Sequence, residues 1–305
     1  MKERFLAIVN PAAGGGRSGN LAGPALARLR EKGLHIDVIA STAPGHAADL
    51  AREAWQQGYR QFIAVGGDGT AHEILNGVFA RSNAQARGAQ PRVSIGFLPL
   101  GTGNSFLRDF SKGGAELSLD ALIQRRTRTV DVLRLTHAKG ETYSLNLISV
   151  GFTADVGAFT NRYLKPFGPV GYLLGVFVRI VKLRGKTFPL RCDADKVLDA
   201  RPCLFLSFNN SKYTGGDMLI APQADPHDGL IEFVHWGPIG RFAILRMLPT
   251  LYDGSHIKHP LASRRAVRHV EFNLDGPVDV IIDGEVATLD CRSLDILPGA
   301  VDIFI

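Results

Sequence analysis

Five consecutive residues, Gly66-Gly67-Asp68-Gly69-Thr70, carry the most chemistry in this sequence. Glycines let backbone N–H groups approach and wrap phosphate oxygens, and the N-terminus of a following helix adds favourable dipole charge. The context suits this: Phe62 to Val65 is an apolar, strand-like run, and Ala71 to Ala80 can form a helix. A carboxylate in such a loop repels phosphate unless a cation lies between them. Asp68 therefore implies Mg²⁺, held directly or through water, and nucleoside triphosphate chemistry. The plainer alternative is that Asp68 only caps the helix.

Two more glycine-rich loops follow strand-like runs. Gly14 to Gly19 satisfies G-x-G-x-x-G. A dinucleotide site would want an acidic residue ending the second strand, whereas Asp37 sits mid-strand in HIDVIAST. That argues against a dehydrogenase and leaves Asn10 to Gly14 as a second phosphate-facing loop. The third, Gly101-Thr102-Gly103-Asn104, offers a hydroxyl and an amide, and on spacing alone is also compatible with a plain turn. Further on, Asp225 and Asp228 stand three apart in a glycine-containing loop, a pairing suited to a hard, oxygen-liganded cation. Asp283-Gly284 is a hairpin signal between DVIID and ATLD. Spacing leaves Glu285 as either a hairpin residue or a proton acceptor. His72, on a first helical turn, reads as structural or as a proton shuttle.

The elements that must position these groups fall into two textures. Over residues 1–130 an apolar run, a glycine-rich loop and a helix-forming segment recur three times, with helices expected at Leu21 to Lys32 and His46 to Gln57 and a strand at Leu34 to Ala40. This predicts an α/β nucleotide-binding domain with a parallel sheet covered on both faces, the three loops converging at one crevice. Residues 131–305 carry short β-like runs (VDVLRLTH, TYSLNLISV, CLFLSFNN, LIEFVHW, HVEFNL, DVIID, SLDIL) and predict a mostly antiparallel β-sandwich domain, the closing residues being available to return to the first.

One stretch stands apart. From Val156 to Cys192 there is no acid, while Arg162, Lys165, Arg179, Lys182, Arg184, Lys186 and Arg191 are basic. Its apolar middle, Pro166 to Val178, is shorter than the about 20 residues that span a bilayer, so it suits lying on a membrane or, equally, an ordinary buried helix with solvated ends. The 305 residues carry a net charge of +6, which favours anionic partners without choosing among them. Three scattered cysteines without a CxxC argue against disulfides and thiolate zinc and fit a reducing cytosol. The apolar run near the start, Phe5 to Val9, is too short for a signal peptide.

The ordered set of Asn10-Pro11 with its glycines, GGDGT with Glu73 and Asn76-Gly77, PLGTGN, Gly215-Gly216-Asp217-Met218 with Ala221-Pro222, Asp225 to Leu230 and Asp283-Gly284-Glu285 resembles the diacylglycerol kinase catalytic family of lipid kinases, bacterial and sphingosine kinases included. The resemblance implies that Asn10, Pro11, Ala12, Ala13, Gly14, Thr42, Gly66, Gly67, Asp68, Gly69, Thr70, Ala71, His72, Glu73 and Thr102 hold ATP and its Mg²⁺. It implies Glu285, with Asp68, as catalytic, Glu285 taking the proton from a lipid hydroxyl. Asp225, Asp228 and the carbonyl of Leu230 would bind a structural Mg²⁺. Two spellings depart: Ser105 stands where many bacterial members have Asp, and Ala71-His72-Glu73 is nearer the sphingosine kinase form. The expectation is a cytoplasmic, peripherally membrane-associated kinase of a diacylglycerol-like or sphingosine-like alcohol, with an anionic membrane as partner and no nucleic acid. The alternatives are a kinase of a soluble alcohol such as NAD, or a non-catalytic nucleotide- or lipid-binding protein on the same fold.

Overall fold

Phe5 to Val9 and Phe62 to Val65 are apolar without interruption, as befits strands covered on both faces. The structure, a computed structural model, describes residues 4–82, 92–101, 103–110, 114–163, 168–181 and 185–305. It divides into two units, residues 1–132 with 298–305, and residues 133–297.

In the first unit the order is β1 (Arg4–Val9), α1 (Arg17–Glu31), β2 (His35–Ala40), α2 (His46–Gln56), β3 (Gln61–Gly66), α3 (Asp68–Ser82), β4 (Ser94–Pro99) and α4 (Gly114–Ile123). The strands lie in the order β2-β1-β3-β4, all parallel, and Asp302 and Ile303 add a further parallel pairing to β4. Phe5, Ala7, Val9, Ile63 and Val65 pack with Ala22, Leu26 and Leu29 of α1 and Leu119 and Leu122 of α4. The alternate residues Leu6, Ile8, Phe62 and Ala64 are buried too, hence the absence of polar alternation. Because β1 lies between β2 and β3, the strand order reverses there, and the carboxyl ends of β1 and β3 open side by side.

Two helices begin earlier than the sequence predicts. α1 starts at Arg17, not Leu21, because Gly16 turns the chain at φ 91° and the Ser18 hydroxyl then donates to Val65 O at 3.3 Å. α3 starts at Asp68, not Ala71, since a carboxylate suits the positive end of a helix. α2 and α3 approach so closely that a Cβ on Gly77 would lie 2.1 Å from the Ala48 carbonyl oxygen.

The second unit contains the end of β5 (Thr127–His137), from Leu133 onward, then β6 (Gly140–Ser144), β7 (Leu147–Gly151), α5 (Phe152–Tyr163), α6 (Gly168–Val181), β8 (Lys186–Thr187), β9 (Leu190–Cys192), β10 (Pro202–Cys203), β11 (Phe205–Asn209), β12 (Tyr213–Thr214), β13 (Met218–Leu219), β14 (Ile231–Trp236), α7 (Arg241–Met247), α8 (Thr250–Asp253), β15 (Ala262–Val267), β16 (His269–Phe272), β17 (Val278–Ile282), β18 (Glu285–Leu289) and the first part of β19 (Cys291–Phe304). Six strands form an antiparallel sheet, β15-β14-β11-β7-β17-β18. Its one face meets β5, β9, β16 and β19 around Ile148, Phe208, Phe233, Val280, Leu190, Phe272 and Leu294, the sandwich the sequence predicts. Its other face carries Phe205, Val234 and Trp236, which pack with Val156, Val176, Ile180 and Ile244 of the helices.

Among the described residues this unit has four α-helices, more than the β-like texture predicts. TYSLNLISV is also not one strand: it breaks at Leu145 and Asn146 into β6 and β7.

The close crossing of α2 and α3 is testable. Gly77→Ala should lower stability by about 1–3 kcal/mol, because the added methyl meets backbone and not a side chain that can swing aside. Urea unfolding with an unchanged midpoint would show that the helices separate freely.

Candidate active site

Three loops meet at the carboxyl ends of β1, β3 and β4, and they meet through main chain. A Cβ on Gly14 would lie 2.5 Å from Leu100 O, one on Gly67 2.7 Å from Gly103 O, and one on Gly101 2.6 Å from the Gly67 backbone nitrogen. Hydrogen bonds fix the contact: Gly101 N–H donates to Gly66 O at 2.8 Å, and Asp68 N–H to Gly103 O at 3.0 Å. The Asp68 carboxylate, in the first turn of α3, accepts the Ser105 N–H at 2.8 Å. Thus Ser105 contributes its backbone here, a role that side-chain spelling does not reveal.

The first loop is shaped to receive an anion. Asn10 Oδ1 accepts the Ala12 N–H at 3.2 Å, starting a turn that continues through Gly14, Gly15 and Gly16 at φ 64°, 67° and 91°. Among the described residues the N–H groups of Gly14 and Gly15 meet no acceptor, and a Cβ on Gly15 or Gly16 would touch nothing within 4 Å. Unpaired N–H groups just before α1 suit phosphate oxygens. Among the described residues the buried Thr70 Oγ1 has no hydrogen-bond partner, and a Cβ on Gly66 would lie 2.2 Å from it.

Glu73 lies on α3 and reaches the start of α2. Its carboxylate accepts the Gly45 N–H at 2.9 Å and the Ala47 N–H at 3.0 Å, capping α2. It thereby holds the loop in which Thr42 donates from its backbone to His46 Nδ1 at 3.1 Å, the two side chains lying 2.9 Å apart. Asn76 Nδ2 donates to the carbonyl of His72 at 2.8 Å, and Ala71 is buried. Thr102 lies outside the described residues. Asp37 is occupied by Arg4 and Tyr59, whose hydroxyl at 2.7 Å does most to hold that carboxyl below the usual range, so it is not available as a ribose ligand.

In the second unit, Glu285 opens β18 directly after a two-residue turn, Asp283 at φ 51° and Gly284 at φ 93°, with Ile282 paired to Glu285. Glu285 is exposed, and among the described residues nothing bonds its carboxylate. Asp225 and Asp228 are exposed and share one loop: Asp225 Oδ1 accepts the His227 N–H at 3.1 Å and Asp228 Oδ1 the Leu230 N–H at 2.9 Å. The two carboxylates and the Leu230 carbonyl are oxygen donors of the kind that Mg²⁺ takes. Among the described residues no group of three or more His, Cys, Asp or Glu is placed to hold a metal. Burial pushes the thiols of Cys203 and Cys291 up to about 12 and that of Cys192 up to about 11, so none supplies a thiolate near neutral pH.

Residues 4–135 match the diacylglycerol kinase catalytic domain, and residues 146–305 match the YegS C-terminal NAD kinase beta sandwich-like domain. The chain is 27% identical over 303 residues to a diacylglycerol kinase of Mycobacterium tuberculosis, covering 98% of this chain and 94% of that protein. It is 29% identical over 293 residues to a Chromohalobacter salexigens protein named Probable lipid kinase YegS-like, covering 91% and 86%. A crystal structure of a diacylglycerol kinase from Bacillus anthracis superposes with a TM-score of 0.67 at 20% identity, covering 99% and 96%. An NAD kinase from Archaeoglobus fulgidus in complex with ATP gives 0.50 at 15%, covering 99% and 93%. Both likenesses establish fold alone.

The cap on α2 yields a measurement. In Glu73→Gln the amide nitrogen faces one of two N–H donors, and losing that charged bond should cost about 1.5–3 kcal/mol and speed hydrogen exchange at Gly45 and Ala47. Unchanged exchange at both would show that the carboxylate does not hold this loop.

Proposed function

We propose, from the premise that the chain belongs to the diacylglycerol kinase catalytic-domain family and is a kinase phosphorylating a lipid alcohol, that its donor is ATP with Mg²⁺ and its acceptor a diacylglycerol-like or sphingosine-like hydroxyl. The observation that most directly supports the donor is the main-chain meeting of the three glycine loops, with N–H groups at Gly14 and Gly15 unpaired among the described residues and the Asp68 carboxylate at the head of α3. Asn10 to Gly14 and Gly66 to Thr70 would cradle phosphates, with Thr102 and the Thr42 loop contributing at the rim. ATP would supply the γ-phosphoryl group, and Mg²⁺ would neutralise charge on its oxygens.

The chain's own part is positioning and proton removal. Asp68, its carboxylate steadied by the Ser105 N–H, would orient the water shell of the cation. Glu285, exposed and without a protein partner among the described residues, would take the hydroxyl proton as the alcohol oxygen bonds to phosphorus. Asp225, Asp228 and the Leu230 carbonyl would hold a second Mg²⁺ that stiffens their loop.

A membrane partner is supported by α6. Val176 and Ile180 face the core, while Leu174, Phe177, Val178 and Val181, spaced as one helical stripe, are exposed, Val181 to 66%. Among the described residues no helix is long and apolar enough to cross a bilayer, so the stripe would lie in the headgroup boundary. Two of the seven basic residues have acidic partners. Lys186 is paired with Asp155 at 2.7 Å and Arg191 with Glu271 at 3.5 Å. Lys165, Lys182, Arg184 and the side chain of Arg162 lie outside the described residues.

Transfer of radiolabel from ATP to extracted lipids, with identification of the product, tests the whole reading. Labelled lipid is expected; label on NAD alone would overturn it. Asp68→Asn should lower turnover by roughly 10²–10³-fold in a folded protein. Glu285→Gln should lower the maximal rate by about 10²–10⁴-fold while ATP affinity holds. A Glu285→Gln variant that loses ATP affinity at an intact maximal rate would make Glu285 a binding residue.

For the surface, Leu174→Ser with Phe177→Ser should reduce sedimentation with phosphatidylglycerol vesicles, since each half-buried apolar side chain returned to lipid contributes roughly 1 kcal/mol. Activity on a short-chain soluble acceptor should be kept. Equal vesicle binding by variant and wild type would remove α6 from the membrane.

A further inference from the structure

Sequence makes Asp283 the first residue of a hairpin turn, and the turn asks little of it. A two-residue turn of this kind wants a residue that tolerates positive φ, and Asn serves as well as Asp. Neither the turn nor the strands it joins calls for a buried negative charge.

The carboxylate is nevertheless buried, the residue being 9% exposed, and it is enclosed by donors from one distant segment. Oδ1 accepts the Ser144 hydroxyl at 2.5 Å, the Asn146 N–H at 3.0 Å and the Leu147 N–H at 3.2 Å, and Oδ2 accepts the Leu145 N–H at 3.1 Å. The Asp283 N–H itself donates to Leu147 O at 3.1 Å. Three successive backbone N–H groups and a hydroxyl thus grip one anion, and charge-assisted bonds of this type are roughly twice as strong as neutral ones.

A second layer holds the gripping segment. The Asn146 carbonyl accepts the N–H groups of Asn210 at 2.8 Å and Ser211 at 3.2 Å, and Asn210 Nδ2 donates to Leu145 O at 2.8 Å. The Ser211 hydroxyl donates to Asn146 Oδ1. Ser144, Asn146, Asn210 and Ser211 are all buried, so this polar knot is kept from water. Two residues after Asp283 the chain emerges with Glu285 exposed, its backbone already paired with Ile282. The turn carrying Glu285 is therefore fixed by the knot on one side and by the β17–β18 ladder on the other.

We propose that Asp283 is the positioning residue for Glu285: its buried carboxylate, clamped by Ser144 to Leu147, sets where the exposed carboxylate two residues on can reach. This rests on the reading of Glu285 as the proton acceptor. Asp283 touches no reacting atom, and its effect passes wholly through Glu285. Misplacement of a reacting group by about 1 Å can cost on the order of 10²-fold in rate.

The test is a kinetic cycle on lipid phosphorylation with Asp283→Asn, Ser144→Ala, Glu285→Gln and each of the first two combined with the third, melting curves being recorded for all. Asp283→Asn should lower kcat by about 10²-fold and leave KM for ATP within about twofold, because the nucleotide loops belong to other residues. Ser144→Ala, which removes one hydroxyl and no charge, should lower kcat by roughly 3–10-fold. In the Glu285→Gln background either change should add less than about twofold, since nothing remains to be positioned. An equal loss on both backgrounds, or wild-type kcat in folded Asp283→Asn, overturns the positioning role while leaving Glu285 as the base. Wild-type kcat in Glu285→Gln overturns the base reading itself, and the proposal with it. Should Asp283→Asn not fold, Ser144→Ala carries the same comparison, with equal losses on both backgrounds again overturning the role.

Discussion

Main chain packed directly on main chain is the constraint around which the first unit is arranged. Where the loops after β1, β3 and β4 meet, Gly14, Gly67 and Gly101 leave no room for a Cβ, because what stands in its place is a carbonyl oxygen or a peptide nitrogen. Backbone atoms cannot rotate aside as side chains do, so the three loops either adopt this arrangement or separate. The parallel sheet delivers their ends to one place, and the reversal of strand order between β2 and β3 keeps the space above β1 clear of crossing helices. α3 then begins at the contact itself, which puts Asp68 at the positive end of a helix and within reach of the Ser105 N–H.

The second unit solves a different problem with different forces. Its sandwich core of Phe208, Phe233, Phe272 and their aliphatic neighbours is non-directional and would tolerate exchange among residues of similar volume. Hydrogen bonds do not tolerate such exchange. The buried set around Asp283, Asn146 and Asn210 fixes angles and register where the apolar core fixes only proximity. Glu232, 5% exposed and joined by both oxygens to Arg264, shows that this unit meets buried charge with paired donors at more than one place.

Much of the fold could be read from residues alone, because uniformly apolar strands and glycine loops are local signals. Helix starts were less legible: glycine reads as loop, yet Gly69 and Gly19 lie inside α3 and α1. α6 was harder still. A helix that buries Val176 and Ile180 and exposes Leu174, Phe177 and Val178 has no polar face to give it a period. The break in TYSLNLISV is invisible locally, since donors turned toward Asp283, more than a hundred residues distant, make it. For the candidate site, the glycine strings and Asp68 announce themselves, whereas Glu73 gives no hint that its partners are N–H groups of α2. Asp283 was hidden by its own plausibility as a turn residue.

The return of residues 298–305 to the first unit bears on how the protein is made. On a ribosome β1 to β4 emerge early, but the partner that Asp302 and Ile303 supply to β4 is synthesised only after the whole second unit. Until then β4, with Ile95, Phe97 and Leu98, is an open parallel edge of the kind that recruits other chains. A fragment ending at residue 132 keeps that edge permanently. The amino-terminal half of the sequence is thus continuous in motif yet incomplete as a nascent chain, and its sheet gains its fifth strand only when the polypeptide has come back to it.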